Sequence, residues 1–298
     1  MIITNKMNLP EALVKAVSTE RHNEPGELSA TTLLNGTKQI ILMDRHWEEL
    51  EDDVADRFNA IIGTAVHDLL QKYEGQHEFV EEQMKVELDG ITVTGKIDNY
   101  NMEEGLISDY KTAKVWKVKF NDFEDWRKQG LIYAWLLRKN GFEAKTCRFI
   151  AMLNDHSAAE AQRNSSYPQK PMCVYQFTVT DGFFEEIENF IEARVQMYNK
   201  YKELPDDEIP PCSKEERWQT KDSFAVKKEG RKNAVRVMDT QDEADKLAAD
   251  LGKNHYVEHR IGESRRCLAY CLCKNFCNFY RENVLNTPVT EDQEVNWP

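Results

Sequence analysis

The sequence predicts an α/β protein, a mixed sheet flanked by helices, followed by a smaller cysteine-rich unit. Three observations carry this. Stretches of helical and strand periodicity alternate over the first ~200 residues. Turn signals such as Asp89-Gly90 and Asn140-Gly141 separate them. Four of the seven cysteines fall within residues 267–277.

Residues 1–28 mix short helical hints with a polar loop. From 48 to 74, Val54, Phe58, Ile61, Ile62, Val66, Leu69 and Tyr73 recur at helical spacing and predict one long amphipathic helix facing the core. Met84 to Leu88, the Asp89-Gly90 turn and the alternating run Ile91–Tyr100 read as a hairpin. After Asn-Met-Glu-Glu-Gly, a third strand covers Leu106–Thr112. A helix from about Asp122 to Lys139 ends at Asn140-Gly141. Strands follow at 147–153 and 173–179, then a helix capped at Asp181 that carries Phe184, Ile187, Ile191 and Tyr198 inward. The Pro-rich, acidic stretch 205–212 reads as a connection. Beyond it lie a hairpin around Glu229-Gly230, a helix at 240–251, a short strand at 256–260 and the cysteine-rich end. The expected division is a core over 1–204, a small subdomain over 205–283 and a loosely ordered tail over 284–298.

With 298 residues and 41% hydrophobic content, the chain has material for a substantial core. No apolar run approaches the roughly 20 residues that span a bilayer, and the start, MIITNKMNLPEALVKAV, lacks a basic leader followed by an apolar stretch. A soluble, cytoplasmic protein without a membrane partner is expected. An odd number of cysteines crowded toward one end is a poor disulfide framework and a better ligand set. The net charge of −13 excludes a uniformly basic surface. Acidic residues concentrate at 47–57, 181–192 and the tail, whereas 111–128 and 214–236 are rich in Lys and Arg, so a local basic groove is compatible with the total.

Chemistry concentrates on Gly95-Lys96-Ile97-Asp98 and Ser108-Asp109-Tyr110-Lys111. Asp109 and Lys111, two apart on a strand, leave the same face, and Asp98 can lie opposite them on the neighbouring strand. Cleavage of a phosphodiester needs a hard divalent cation on oxygen ligands and a group that orients or deprotonates water. The two aspartates suit the first task and Lys111 the second. A cross-strand salt bridge on a solvated face would have the same sequence. Two further groups flank the pair: Gly63-Thr64-Ala65-Val66-His67 upstream, and downstream Gln129 and Tyr133, which share a helix face.

Taken in order, GxxxH, GxxD, DxK and QxxxY over roughly residues 29–140 resemble the RecB-like branch of the PD-(D/E)XK nuclease superfamily, which includes CRISPR-associated and phage-encoded exonucleases. The resemblance implies a restriction-endonuclease-like core. It implies His67, Asp98 and Asp109 as ligands of Mg²⁺ or Mn²⁺, helped by the Tyr110 carbonyl, with Lys111 as the catalytic lysine and Gln129 and Tyr133 holding the site or the DNA backbone in register. The proline that names the superfamily is absent, Lys96-Ile97 standing before Asp98. Glu81, Glu82 and Glu87 are candidate additional carboxylates.

The C-terminal run reads Cys267-Leu-Ala-Tyr-Cys271-Leu-Cys273-Lys-Asn-Phe-Cys277, with a further thiol at Cys212. Four thiolates suit a [4Fe–4S] cluster or a tetrahedral Zn²⁺. The spacing of Cys271 and Cys277 is similar to that of iron–sulfur RecB-like nucleases, although Cys267 stands three residues from Cys271 instead of two. In that family the remote cysteine precedes the GxxxH helix, and none occurs here before Cys147. Cys212 is the candidate fourth ligand and Cys273 its competitor. Cys147 and Cys173, in apolar strands, are expected in the core.

Lys114, Lys117, Lys119, Arg127 and Lys128 surround Trp116, Phe120 and Trp126, the combination of charge and aromatic faces that binds single strands. The hairpin 226–236 is a second candidate backbone contact. The function expected from the resemblance is a metal-dependent exonuclease on DNA ends or single strands in recombination, repair or CRISPR-type processing. Any helicase or recombination partner would be a separate chain. A non-catalytic DNA-end-binding adaptor and an RNA-directed nuclease are the alternatives.

Overall fold

The computed structural model describes residues 1–18, 24, 26–73, 75 and 78–285. The chain divides into two compact units, Met1–Glu203 and Leu204–Pro298.

Strands of the first unit are β1 (Ile2–Thr4), β2 (Glu27–Ser29), β3 (Glu51–Asp53), β4 (Glu78–Leu88), β5 (Ile91–Asn101), β6 (Leu106–Ala113), β7 (Thr146–Leu153) and β8 (Met172–Thr178). Its helices are α1 (Glu11–Ser18), α2 (Ala30–Leu33), α3 (Thr37–Arg45), α4 (Phe58–Leu70), α5 (Val115–Lys119), α6 (Glu124–Lys139), α7 (Ala158–Arg163) and α8 (Asp181–Tyr201). A mixed sheet runs β2-β5-β6-β7-β8, with β4 paired to β5. β2 is parallel to β5 and β6 parallel to β7, while β4–β5, β5–β6 and β7–β8 are antiparallel.

Each element has a local cause. Asp89 and Gly90, with φ of +48° and +75°, close the β4–β5 hairpin in the left-handed turn that Asp-Gly favours. α6 presents Trp126, Leu131, Ile132, Trp135, Leu136 and Leu137 as buried apolar groups and stops at Gly141, φ +86°. α6 approaches the sheet closely because two glycines leave room. A Cβ at Gly130 would lie 3.0 Å from the Phe149 ring, and one at Gly95 would lie 2.5 Å from Leu136 Cδ1 and 3.0 Å from the Tyr133 ring. α4 approaches at Thr112, which alternates in face with Asp109, the register partner of Phe149. The sheet therefore carries helices on both faces, a mixed α/β architecture.

Several expectations need correction. The long helix expected over 48–74 is shorter: tight turns at Trp47–Glu49 and Val54–Arg57 flank β3, and the helix begins only at Phe58. Asp53 explains the break, because its carboxylate accepts from Thr4 Oγ1 at 2.7 Å, Lys6 N at 3.0 Å and Ala55 N at 3.1 Å, fixing β3 beside β1. Of the apolar stripe, Val54 is buried and Ile61, Ile62 and Val66 are half-buried, whereas Phe58, Leu69 and Tyr73 are exposed. At its other end the helix stops at Leu70, with Gln71 N donating to His67 O as the C-cap, so Tyr73 falls beyond it; residue 74, the expected end, lies outside the described residues. The α8 cap is Thr180, whose side chain accepts from Phe183 N, and Asp181 is solvated in the first turn. Cys147 is buried, but Cys173 is only half-buried, because the edge strand β8 leaves alternate residues in solvent.

The second unit contains β9 (Ser223–Lys228), β10 (Arg236–Met238), β11 (His255–Arg260), α9 (Gln241–Leu251), α10 (Arg265–Ala269) and α11 (Asn278–Asn283). Its sheet, ordered β10-β9-β11 and antiparallel, packs Val226, Phe224, Met238 and Val257 against Ala244, Leu247 and Ala248 of α9. Of the expected tail 284–298, residues 286–298 lie outside the described residues. Among the described residues no helix is long and apolar enough to cross a membrane.

Candidate active site

β5 and β6 pair over only Asn99↔Ser108, Tyr100↔Ile107 and Asn101↔Leu106, although β6 continues alongside β7 as far as Ala113. The next pair in register would set Asp98 against Asp109, and like charges directly opposed repel. The strands fork there instead. Asp98 Oδ2 accepts the Tyr110 N–H at 2.8 Å, so a side chain occupies the place of a backbone acceptor. In a strand the N–H and C=O of one residue leave by the same edge, so the Tyr110 carbonyl faces this fork as well.

Around the fork the structure gathers most of the expected residues. His67 Nδ1, from α4, lies 3.3 Å from Asp98 Oδ1. Lys111 Nζ lies 2.8 Å from Asp109 Oδ1 and 5.9 Å from the centre of the Phe149 ring. Asp98 is 8% exposed and Asp109 only 1%. Despite the short ion pair to Lys111, Asp109 Oδ1 receives no hydrogen bond of good geometry. Burial is the main influence on this carboxyl and pushes its pKa up to about 6. Lys111 opposes that rise and the nearby Asp98 charge adds to it.

Gln129 and Tyr133 are buried on α6, where Gln129 Nε2 donates to Tyr133 Oη at 2.7 Å. The Tyr133 ring packs at Gly95, so this pair supports the strand that carries Asp98. Among the extra carboxylates, Glu87 accepts from Thr92 Oγ1 at 2.6 Å beside the hairpin turn, Glu82 is exposed, and the Glu81 side chain lies outside the described residues. The sequence reading missed Glu78. Its Oε2 accepts from Asn99 Nδ2 at 2.9 Å, and its charge, after burial, helps to raise the Tyr110 phenol. Only its place on the strand beside β5 distinguishes it from the other glutamates of β4.

These donors fit a hard cation chemically. They comprise two carboxylates, a backbone carbonyl and an imidazole, with one buried carboxylate oxygen, Asp109 Oδ1, met by the Lys111 ammonium but outside good hydrogen-bond geometry. Even so, no group of three or more His, Cys, Asp or Glu side chains among the described residues is drawn together as a ready-made ion cage.

In the second unit, Cys267 feels the charges of Cys271, Cys212 and Cys277, which add to burial in raising its thiol pKa to about 12. Cys271 Sγ lies 3.6 Å from Cys273 Sγ, and this contact is the main reason that the Cys271 pKa falls to about 7, with Arg266 and Lys274 assisting. Cys273 is buried and shifts upward. Arg217 donates to the Cys212 carbonyl and stacks on Phe279, 4.1 Å from the ring centre. The five thiols therefore share one neighbourhood, and none is in a disulfide.

No protein-family model and no curated protein matches the chain. Among solved structures it is similar to SSO0001 at 14% identity, over 63% of this chain and 83% of that one, with a TM-score of 0.43. It is similar to an alkaline exonuclease from Laribacter hongkongensis at 12% identity, over 60% and 90%, with a TM-score of 0.38. It is also similar to a phage-related exonuclease from Haemophilus somnus 129PT at 14% identity, over 56% and 73%, with a TM-score of 0.30. Overlaps this loose lend no weight to chemistry, which rests on the residues themselves.

Asp109 binds its proton more tightly in the fold, at about 6, than its ordinary value of 3.8. Its contribution to the stability of the metal-free protein is therefore fully present below pH ~4 and lost as pH rises through about 6. Asp109→Asn is expected to stabilise the metal-free protein at about pH 8, by roughly 1–3 kcal/mol, and to lose that advantage in acid. Thermal denaturation in EDTA across this range checks it, and equal melting of the two proteins at the alkaline end would contradict the buried charge.

Proposed function

We propose that this chain is a divalent-metal-dependent nuclease that hydrolyses DNA phosphodiesters, acting as an exonuclease on ends or single strands. The observation that carries the reading is the Asp109 carboxylate, buried, short of hydrogen bonds at Oδ1, 2.8 Å from the Lys111 ammonium and beside the Asp98–His67 pair. A carboxylate kept solely for stability has no need to be desolvated beside a second one.

In this reading Asp98, Asp109, His67 and the Tyr110 carbonyl hold Mg²⁺ or Mn²⁺. The bound cation supplies Lewis-acid stabilisation of the negative charge that builds on the scissile phosphate. Asp98 also holds the fork open through Tyr110 N, which keeps the carbonyl directed inward. Lys111, fixed by Asp109 and resting near the Phe149 ring, orients the attacking water and presents positive charge to the phosphate. Gln129 and Tyr133 act as positioning residues through the packing at Gly95.

The test is digestion of end-labelled single- and double-stranded DNA with Mn²⁺, Mg²⁺ or EDTA. Metal-dependent loss of label is expected, falling by about 10²-fold or more in Lys111→Ala. Tight DNA binding without cleavage in any metal would sink the enzyme reading in favour of an end-binding adaptor, and cleavage confined to RNA would replace the substrate.

The same proposal assigns Cys212, Cys267, Cys271 and Cys277 to a [4Fe–4S] cluster, with Zn²⁺ as the alternative. Support comes from the mutual influence of these thiols and from the lowered Cys271, favoured as thiolate first by the Cys273 contact and then by Arg266 and Lys274; Cys273, with its Sγ 3.6 Å from Cys271 Sγ, is the competitor for the fourth place. Protein purified without oxygen is expected to carry about four iron and four labile sulfide per chain. Stoichiometric zinc instead would support the alternative, and a chain holding neither metal would remove the assignment.

A further inference from the structure

The basic and aromatic segment after the catalytic strand is not one surface. Lys117 Nζ is held by Asp125 at 2.8 Å, Arg127 pairs with Glu124 and Glu186 at 2.9 Å each, and Lys128 approaches Glu124 at 3.8 Å. Trp126 is buried against Phe149 and Phe123. These four belong to the packing of α6. The rest is different. Trp116 is 50% exposed and Phe120 70% exposed, and Phe120 N donates to Trp116 O at 2.9 Å, so the two rings stand one helical turn apart. Lys114 and Lys119 are exposed beside them, and among the described residues no carboxylate pairs with either ammonium. Lys119 Nζ lies 5.9 Å from the centre of the Phe120 ring.

This surface adjoins the fork through the chain itself, since α5 begins only four residues beyond Lys111. Asp155 Oδ1 accepts the Val115 N–H at 2.8 Å, and Asn154 Nδ2 reaches Asn59 Oδ1 at 3.5 Å. The first turns of α5 and α4 therefore flank the same short turn, and α4 opens with Phe58, 58% exposed. Large aromatic faces left in water carry an unfavourable hydration cost that a partner would remove. The partner's chemistry follows from the neighbours, because unpaired cations beside flat apolar rings, in a chain of net charge −13, match phosphates beside bases. A paired duplex hides its base faces within the stack, whereas a single strand offers them.

We propose that Lys114, Trp116, Lys119 and Phe120 form a stacking platform that receives unpaired bases of single-stranded DNA and leads the backbone to Lys111, with Phe58 as a further apolar wall. The proposal rests on the nuclease reading and adds the strand preference and the residues that impose it.

The test is equilibrium binding of a fluorescein-labelled oligothymidylate and of a blunt duplex to the full chain in EDTA. Wild type is compared with Trp116→Ala/Phe120→Ala, with Trp116→Phe/Phe120→Tyr and with Lys114→Glu/Lys119→Glu. Loss of the rings is expected to weaken single-strand binding roughly tenfold or more while changing duplex binding far less. The aromatic-for-aromatic variant should retain binding, and the charge reversal should weaken it and flatten its salt dependence. Single-strand affinity within about twofold of wild type in the double alanine variant would overturn the proposal. So would sedimentation showing that this variant converts a self-associated wild type to monomer, which would assign the face to a second copy. Failure of the underlying reading looks different: a wild type that binds single strands through these rings yet cleaves nothing with Mn²⁺ supports the platform and removes the nuclease.

Discussion

The candidate site depends on one hydrogen bond, from Tyr110 N to Asp98 Oδ2 at 2.8 Å. Were β5 and β6 to continue their antiparallel pairing, Asp98 and Asp109 would be pressed together and the Tyr110 carbonyl would be used by the ladder. By ending the pairing at Asn99↔Ser108 and substituting a carboxylate for the backbone acceptor, the chain opens a gap without leaving the Tyr110 amide unsatisfied. Everything in the proposed chemistry lies at the edges of that gap. β6 itself stays fixed, because its other edge is paired with β7 along its whole length.

The fork is affordable only because the surroundings are stiff. Gly130 and Gly95 let α6 settle onto the sheet, where Phe149, Cys147 and Tyr133 close over the base of the strands. Burial then makes Asp109 an uncomfortable charge in the absence of a cation, since the lysine beside it relieves only part of the desolvation. That tension is the kind found where binding sites are built, with local stability given up for affinity. In the second unit thiols also converge around Cys267, and the Cys273 contact, assisted by Arg266 and Lys274, favours thiolate at Cys271.

How far this was legible in the sequence varies with the kind of signal. Asp98, Asp109 and Lys111 could be read because strand alternation is strict and the hairpin turn at Asp89-Gly90 is unambiguous. The helix carrying Gln129 and Tyr133 could be read because its apolar spacing and its Asn140-Gly141 end agree. The spacing of Phe58 and Leu69 correctly gave a helix and wrongly gave an inward face, since periodicity reports an apolar stripe and not what covers it, and Tyr73 lies past the helix end at Leu70. β1, β2 and β3 were not foreseen, because three residues are too few for alternation to register and β3 is wholly acidic. Glu78 was lost among the glutamates of its strand, where only tertiary position separates it from Glu82 and Glu87. Likewise, composition could not separate Lys114 and Lys119 from Lys117, Arg127 and Lys128, which the fold commits to carboxylates.

The central claim is that the β5–β6 fork is a divalent-cation site. Its most direct test is Mn²⁺ binding to the full chain followed by electron paramagnetic resonance, comparing wild type with Asp109→Asn and with Asp98→Asn. Asp109 and Asp98 are proposed as direct ligands, so wild type should bind Mn²⁺ with affinity lowered about tenfold or more in each variant. Equal Mn²⁺ binding by all three proteins would contradict the account.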